Sequence, residues 1–292
     1  MRSLLFVPAD SEKKLAKGLS SGADALIVDL EDSIAPESKA AARVAAAEFL
    51  KAHIGTKDRP RLFVRINALI TSLSDPDIEA SVAAKPDGIV LPKAEGEATV
   101  VRLDKRLMAN EAKHGIDKGH IKIVAIATET AASLFRAGTY RSSSDRLTGL
   151  TWGAEDLSAD LGAETNRDAD GKFLDPYRFA RVLCLAGATA AQVQPIDTVY
   201  VDFKNDKGLR RETEEARRDG FTGKLAIHPA QVPIINAVFT PTAEAIARAQ
   251  AIVDAFAAAP NTGVVGIGGV MYDRPHLARA QTLLARAAAL KR

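Results

Sequence analysis

The sequence predicts an α/β chain folded as a (β/α)₈ TIM barrel with a C-terminal helical extension, and three observations predict it. Short apolar runs rich in Val, Ile, Leu and Phe recur eight times, with longer amphipathic, alanine-rich stretches between them. The runs are continuous rather than alternating, as expected of parallel strands covered on both faces. No G-x-G-x-x-G follows the first run, and eight units in roughly 230 residues exceed what an open doubly wound sheet usually carries.

In chain order the predicted strands are "SLLFVP" (3–8), "ALIVDLE" (25–31), "RLFVRIN" (61–67), "GIVLPK" (88–93), "IKIVAIATE" (121–129), "LTGLTWG" (147–153), "TVYVDF" (198–203) and "KLAIHP" (224–229). Helical stretches follow at 36–52, 96–113, 175–191 and 206–219. The tail adds an alanine-rich helix at about 242–258, a Pro/Gly/Asn-rich turn region "APNTGVVGIGGVMYD", and a last helix at about 275–290. Two domains are expected: the barrel over 1–240 and the extension over 241–292.

Composition narrows the function. At 47% hydrophobic, the 292 residues suffice for one large core. The formal net charge is +2 and the basic residues are scattered, so nucleic acid is not expected as a partner. The single cysteine, Cys184, lies in the apolar stretch "RVLCLAG", which excludes an internal disulfide and suits a reducing, cytoplasmic setting. No run approaches the roughly 20 apolar residues that cross a bilayer, and "MRSLLFVPADSEKK" is charged too early for a signal peptide, so no membrane partner is expected.

In a parallel barrel, chemistry gathers where the strands end. The polar residues there are Asp29, Glu31 and Asp32; Arg65 and Asn67; Lys93; Glu129; Glu155 and Asp156; Asp202; and His228. So many carboxylates around one arginine are costly unless a cation neutralises them. Oxygen ligands without a His or Cys cluster point to Mg²⁺, or Mn²⁺, rather than zinc. Structural readings stand beside these. Glu129 and Asp156 suit helix starts equally well, an in-strand Arg65 can simply pair with Asp29, and His228 fits a hydrogen-bonded residue closing the barrel. A strand-end lysine such as Lys93 also suits a Schiff base, although no feature of the sequence lowers its pKa.

The blocks "RSLLFVPAD", "ALIVDLEDSIAPESKAAAR", "RINA", "GIVLPKAE", "IATETAASL", "LTWGAEDLSADLG", "VYVDF" and "GFTGKLAIHPAQV" together resemble the citrate lyase beta-subunit-like group of the HpcH/HpaI aldolase superfamily, in order and over nearly the whole chain. The resemblance implies a barrel with a C-terminal extension, assembled as a homotrimer or dimer of trimers. It implies Mg²⁺ held by Glu129 and Asp156, Arg65 gripping the carboxylate of a 2-oxo acid, and Asp29 and Asp32 orienting Arg65 and metal-bound water. Glu155 and Asp160 are left to the helix start and the surface, and Glu31 receives no role. The tail "GGVMYDRPHLARA" is similar to the G-x-M-x-D-x-P segment of malyl-CoA and citramalyl-CoA lyases, which implies that Asp273 works as acid/base over a neighbouring subunit's barrel. A helix cap before Pro275 is its structural reading.

The implied activity is retro-Claisen cleavage of a 3-hydroxyacyl-CoA to an acyl-CoA and a 2-oxo acid. Three alternatives stay open: a thioesterase on the same site, a citrate lyase beta subunit acting on a carrier-bound citryl thioester, and a noncatalytic protein binding acyl-CoA or 2-oxo acid.

Overall fold

The computed structural model describes residues 1–290. Eight parallel strands close into a barrel in sequential order: β1 (Ser3–Pro8), β2 (Ala25–Asp29), β3 (Arg61–Arg65), β4 (Gly88–Leu91), β5 (Lys122–Ile126), β6 (Leu147–Thr151), β7 (Gln194–Asp197) and β8 (Gly223–Ala226), with β8 returning to β1. The intervening helices are α1 (Glu12–Leu19), α2 (Lys39–His53), α3 (Ser74–Ala83), α4 (Glu97–Lys113), α5 (Ala131–Leu134), α6 (Ala154–Asp160), α7 (Asp175–Ala190), α8 (Asp206–Asp219) and α9 (Gln231–Phe239). The predicted barrel is therefore the observed fold.

Local chemistry explains the punctuation. Ser11 and Asn205 cap α1 and α8 by accepting the amides of Lys14 and Gly208. Gly220 ends α8 at φ 122°, a conformation that favours glycine. Alternate strand residues fill the barrel: Leu4, Ala25, Ile27, Phe63, Val90, Val124, Ile126, Ile196 and Leu225 form one buried cluster.

β1 matches its run, whereas β2 to β6 are shorter than theirs, and most of the excess residues form the loops at their C-terminal ends. One prediction fails outright. The seventh strand lies at 194–197, not 198–203. Ile196 fills the barrel, whereas Val201, Asp202 and Phe203 are exposed beyond the strand, so burial of one side chain outweighs the β propensity of "TVYVDF". Asp202 consequently does not belong to the strand-end set.

The chain divides into two compact units, Met1–Asn236 and a second that begins at Ala237. In the second, α10 (Ala243–Ala258) and α11 (Arg274–Ala289) pack together with a hairpin, β9 (Val264–Ile267) and β10 (Val270–Asp273). Gly268 and Gly269, at φ 57° and 81°, make the two-residue turn that matches strand twist and needs two positive φ values. Val265, Ile267 and Tyr272 pack on the core of Ala249, Ile252, Phe256 and Ala280, while Val264, Val270 and Met271 stay exposed. Among the described residues no helix is long and apolar enough to cross a membrane.

Candidate active site

The register of the barrel sets the first two groups. Asp29 pairs with Arg65 across β2 and β3, and both share the inward face of Ile27 and Phe63, one step nearer the C-terminal rim. Arg65 Nε and Nη2 each donate to Asp29 across 2.7 Å, a bidentate fork, and the guanidinium lies 4.7 Å from the Phe6 ring centroid. Its Nη1 lies 3.1 Å from Glu31 Oε2 and 3.4 Å from Asp32 Oδ2. Asp29 also accepts the amides of Glu31 and Ser33, so one carboxylate shapes the turn and aims the arginine. Burial opposes the charge of Asp29, but Arg65 outweighs it and holds the carboxyl below the usual range.

Lys93 joins the acidic groups. It follows β4 in the left-handed region at φ 49°, unusual for a residue with a Cβ, and this turn directs its backbone amide to Glu129 Oε2 at 2.5 Å. Its ammonium sits 2.7 Å from Glu31 Oε1, 3.1 Å from Asp156 Oδ1 and 3.9 Å from Asp32 Oδ2. Partial burial works against the lysine's charge, yet Glu31, Glu129 and Asp156 raise its pKa above the ordinary value. A nucleophilic amine needs the opposite shift, so the surroundings of Lys93 do not favour the Schiff-base reading.

Glu129 is buried just past β5, against the backbone of Gly153. A Cβ at that position would stand 2.8 Å from the Glu129 Cγ, so glycine makes room for the carboxylate. Thr130, not Glu129, caps α5. Burial, then the charges of Asp156 and Glu31, push the Glu129 carboxyl well above its ordinary value. Asp156 lies in the first turn of α6 and remains partly exposed. Glu31 is buried, and desolvation beats its two cationic neighbours, lifting its carboxyl to about 7; its Oε2 has no hydrogen bond.

Five carboxylates thus meet two cations, with Glu129 and Asp156 both beside Lys93. Among the described residues no three His, Cys, Asp or Glu side chains form a closed metal cage. Two carboxylate ligands with the remaining positions open suit a hard cation such as Mg²⁺, which keeps water and substrate oxygens. The residues therefore fit the implied metal.

The other candidates fall outside this group. Glu155 accepts from Asn166 Nδ2 at 2.9 Å, and Asp160 accepts the Ala131 amide at 2.7 Å, tying α6 to the start of α5. Asn67 Nδ2 donates to Asp77 and the Leu30 carbonyl. His228 accepts the Ala230 amide and stacks on Phe203. In the second unit, Asp273 caps α11, accepting the His276 amide at 3.4 Å, and its side chain is 40% exposed. Sequence reasoning gave Glu31 and Lys93 no place together; the signal available was the lysine closing strand four among so many strand-end acids.

Residues 2–229 match the family described as HpcH/HpaI aldolase/citrate lyase. The citrate lyase subunit beta of Escherichia coli K12 is 34% identical over 288 residues, covering 98% of this chain and 93% of that protein. The mitochondrial citramalyl-CoA lyase of Rattus norvegicus is 30% identical, covering 99% and 87%. The crystal structure of Mycobacterium tuberculosis CitE in complex with magnesium, acetoacetate and coenzyme A superimposes with a TM-score of 0.78 at 32% identity, covering 99% of this chain and 100% of that one. With the barrel and its acidic rim, these likenesses lead to one conclusion: the chain belongs to the HpcH/HpaI aldolase/citrate lyase family and is a lyase.

Proposed function

We propose that this lyase performs Mg²⁺-dependent cleavage of a 3-hydroxyacyl-CoA whose hydroxyl-bearing carbon carries a carboxylate, releasing an acyl-CoA and a 2-oxo acid. The observation that carries the reading is the juxtaposition of an aimed arginine with two carboxylates beside one lysine. The CitE protein was solved with magnesium, acetoacetate and coenzyme A, and a citrate lyase beta subunit from the same organism with oxaloacetate and magnesium, at 33% identity and a TM-score of 0.68 over 82% of this chain and 97% of that one. Both support this substrate class.

Glu129 and Asp156 would hold the metal, which when bound supplies positive charge for the carboxylate and hydroxyl oxygens of the substrate. Arg65 retains N–H groups beyond those given to Asp29, and these grip the substrate carboxylate. Asp29 fixes the guanidinium plane, and Asp32 borders it on the solvent side. Lys93 keeps Glu31 and Asp156 in place. As the carbon–carbon bond breaks, the hydroxyl oxygen gives its proton to solvent water and closes the new carbonyl, and the electron pair of the broken bond stays on the thioester's α carbon. Asp273, supplied by a neighbouring copy in a homotrimer or dimer of trimers, delivers a proton to that carbon, and in the condensing direction its carboxylate removes it. The exposed Val264, Val270 and Met271 on the hairpin that carries Asp273 favour burial against another subunit.

The test is incubation of the purified protein with Mg²⁺ and malyl-, citramalyl- and citryl-CoA, assaying oxo acid and free thiol separately. Oxo acid without thiol is expected. Thiol without oxo acid would replace the lyase with a thioesterase. Neither product would move the substrate to a protein carrier, the reading favoured by likeness to citrate lyase beta subunits, or leave a binding role. Asp273→Asn is expected to lower turnover by about 10²–10⁴-fold while Mg²⁺ and 2-oxo acid still bind; full turnover would remove Asp273 from the mechanism.

A further inference from the structure

We infer that His276 is the positioning residue for Asp273: its imidazole Nδ1–H holds carboxylate oxygen Oδ1 and leaves Oδ2 available to substrate. The inference rests on the lyase reading above and assigns that site a residue it otherwise lacks. The geometry lies wholly within the second unit. Asp273 caps α11, and His276 occupies the third helical position, where a capping box usually carries Glu or Gln. The His276 amide donates to Asp273 Oδ1, and the ring nitrogen Nδ1 meets the same oxygen.

A carboxylate oxygen accepts only, so the proton of this contact sits on Nδ1. The Asp273 amide, 3.3 Å from Nδ1, faces a nitrogen that then has no lone pair in the ring plane to give. A simple cap needs neither this tautomer nor a histidine, because the helix amide already satisfies Oδ1. The second donor fixes the plane of the carboxylate, and an acid/base group needs that orientation.

The surroundings hold the imidazole in place. Its ring stands edge-on to Tyr272, with centroids 5.4 Å apart. It lines a cleft of about 540 Å³ that Glu244 and Arg248 of α10 and Arg279 of α11 also face. Arg274, the neighbouring cation, turns away, donating to the Thr262 carbonyl at 2.9 Å and lying over the Phe256 ring. His276 is thus the donor that reaches Asp273, and its hydrogen bond keeps the carboxyl below the usual carboxylate range.

Two measurements test the inference, one without turnover. Long-range ¹H–¹⁵N correlation spectra of the full chain, with the His276 signal identified among five histidines by its loss in His276→Gln, are expected to show the proton on Nδ1. A proton on Nε2 with a bare Nδ1 would overturn the dyad. In kinetics, His276→Ala is expected to lose about 10–100-fold in kcat with KM for the thioester little changed. His276→Asn, whose amide overlays the Nδ1–H, is expected to recover most of that loss. In the condensing direction, followed by exchange of acyl-CoA α protons in D₂O, Asp273 must be ionised. Its acid limb is therefore expected to move to higher pH in His276→Ala and back toward wild type in His276→Asn. Unchanged kcat and acid limb in His276→Ala would overturn the positioning role while the lyase stands. A wild-type enzyme inert toward every thioester would sink the lyase reading and the kinetic part of this one, and the tautomer distinguishes that case.

Discussion

Two clusters of charge in the barrel differ in one respect. On the outer side of β7 and β8, Lys224 Nζ donates to Asp197 at 2.7 Å and Glu212 at 2.9 Å, Arg181 reaches Asp197 and Asp219, Arg167 pairs with Glu212, and the Trp152 indole donates to Asp197. Three carboxylates meet three cations, with the exposed Arg218 a fourth at the edge, 3.6 Å from Asp219. Burial alone would discharge them, but each partner outweighs it, so Asp197 falls below and Lys224 rises above its ordinary pKa. At the rim, five carboxylates meet two cations, and Glu129 and Glu31 are pushed up instead. Balance marks a cluster that serves the fold. Imbalance marks one completed by something from outside: Asp29, tied to Arg65, falls below its ordinary value as Asp197 does, whereas Glu31 and Glu129 rise.

The comparison breaks most forcefully at Lys224. The side chain is fully buried, so Lys224→Met leaves Asp197 and Glu212 without their central cation. A loss of about 3–5 kcal/mol is expected, the usual cost of removing one partner from a buried pair. Chemical denaturation checks it, and an unchanged midpoint would mean that the balanced cluster contributes nothing to stability.

A smaller effect sharpens the comparison at Glu31. Its carboxyl is at about 7 in the fold against the ordinary 4.5, so the folded state holds the extra proton between those values. The contribution is fully present below about pH 4.5 and is lost as pH rises through about 7. In metal-free protein this amounts to a decline of up to about 3 kcal/mol across that window. Denaturation midpoints from pH 4.5 to 8 are expected to fall in wild type and to fall less steeply in Glu31→Gln, where Glu129 still contributes. Parallel curves would show that Lys93 and Arg65 compensate Glu31 fully.

Much of this contrast was legible in the sequence. Arg65 stood out because a guanidinium inside an apolar strand must find an anion, and Asp29, two residues from the end of its own apolar run, was the partner named and found. Glu129 and Asp156 were visible because strand ends in a parallel barrel share one rim. The grouping around Lys93 was not, since it depends on a left-handed turn at a residue other than glycine, and a one-dimensional pattern carries no φ. Asp202 was misplaced for a related reason: "TVYVDF" has strand propensity, but the inward side chain that anchors β7 is Ile196. Propensity is local, whereas register is decided by the neighbours.

The smallest expected change in stability comes from the residue on which the proposed chemistry depends most. Glu129 sits beside Asp156, and burial, then the charges of Asp156 and Glu31, push its carboxyl well above the ordinary value, so the metal-free fold disfavours its charged form. Gln is the nearest neutral isostere and still accepts the Lys93 amide. Glu129→Gln is therefore expected to shift the metal-free midpoint by less than about 1 kcal/mol at pH 7, with a gain that grows as pH rises, because the variant has no carboxylate to bury. A metal that binds only the folded state stabilises it by mass action, so a saturating Mg²⁺ series should raise the wild-type midpoint and leave the variant's nearly unmoved. Glu129→Gln is also expected to lose turnover. A large metal-free destabilisation would place Glu129 with the balanced cluster, as a structural charge, and an undiminished Mg²⁺ response would remove it from the metal site.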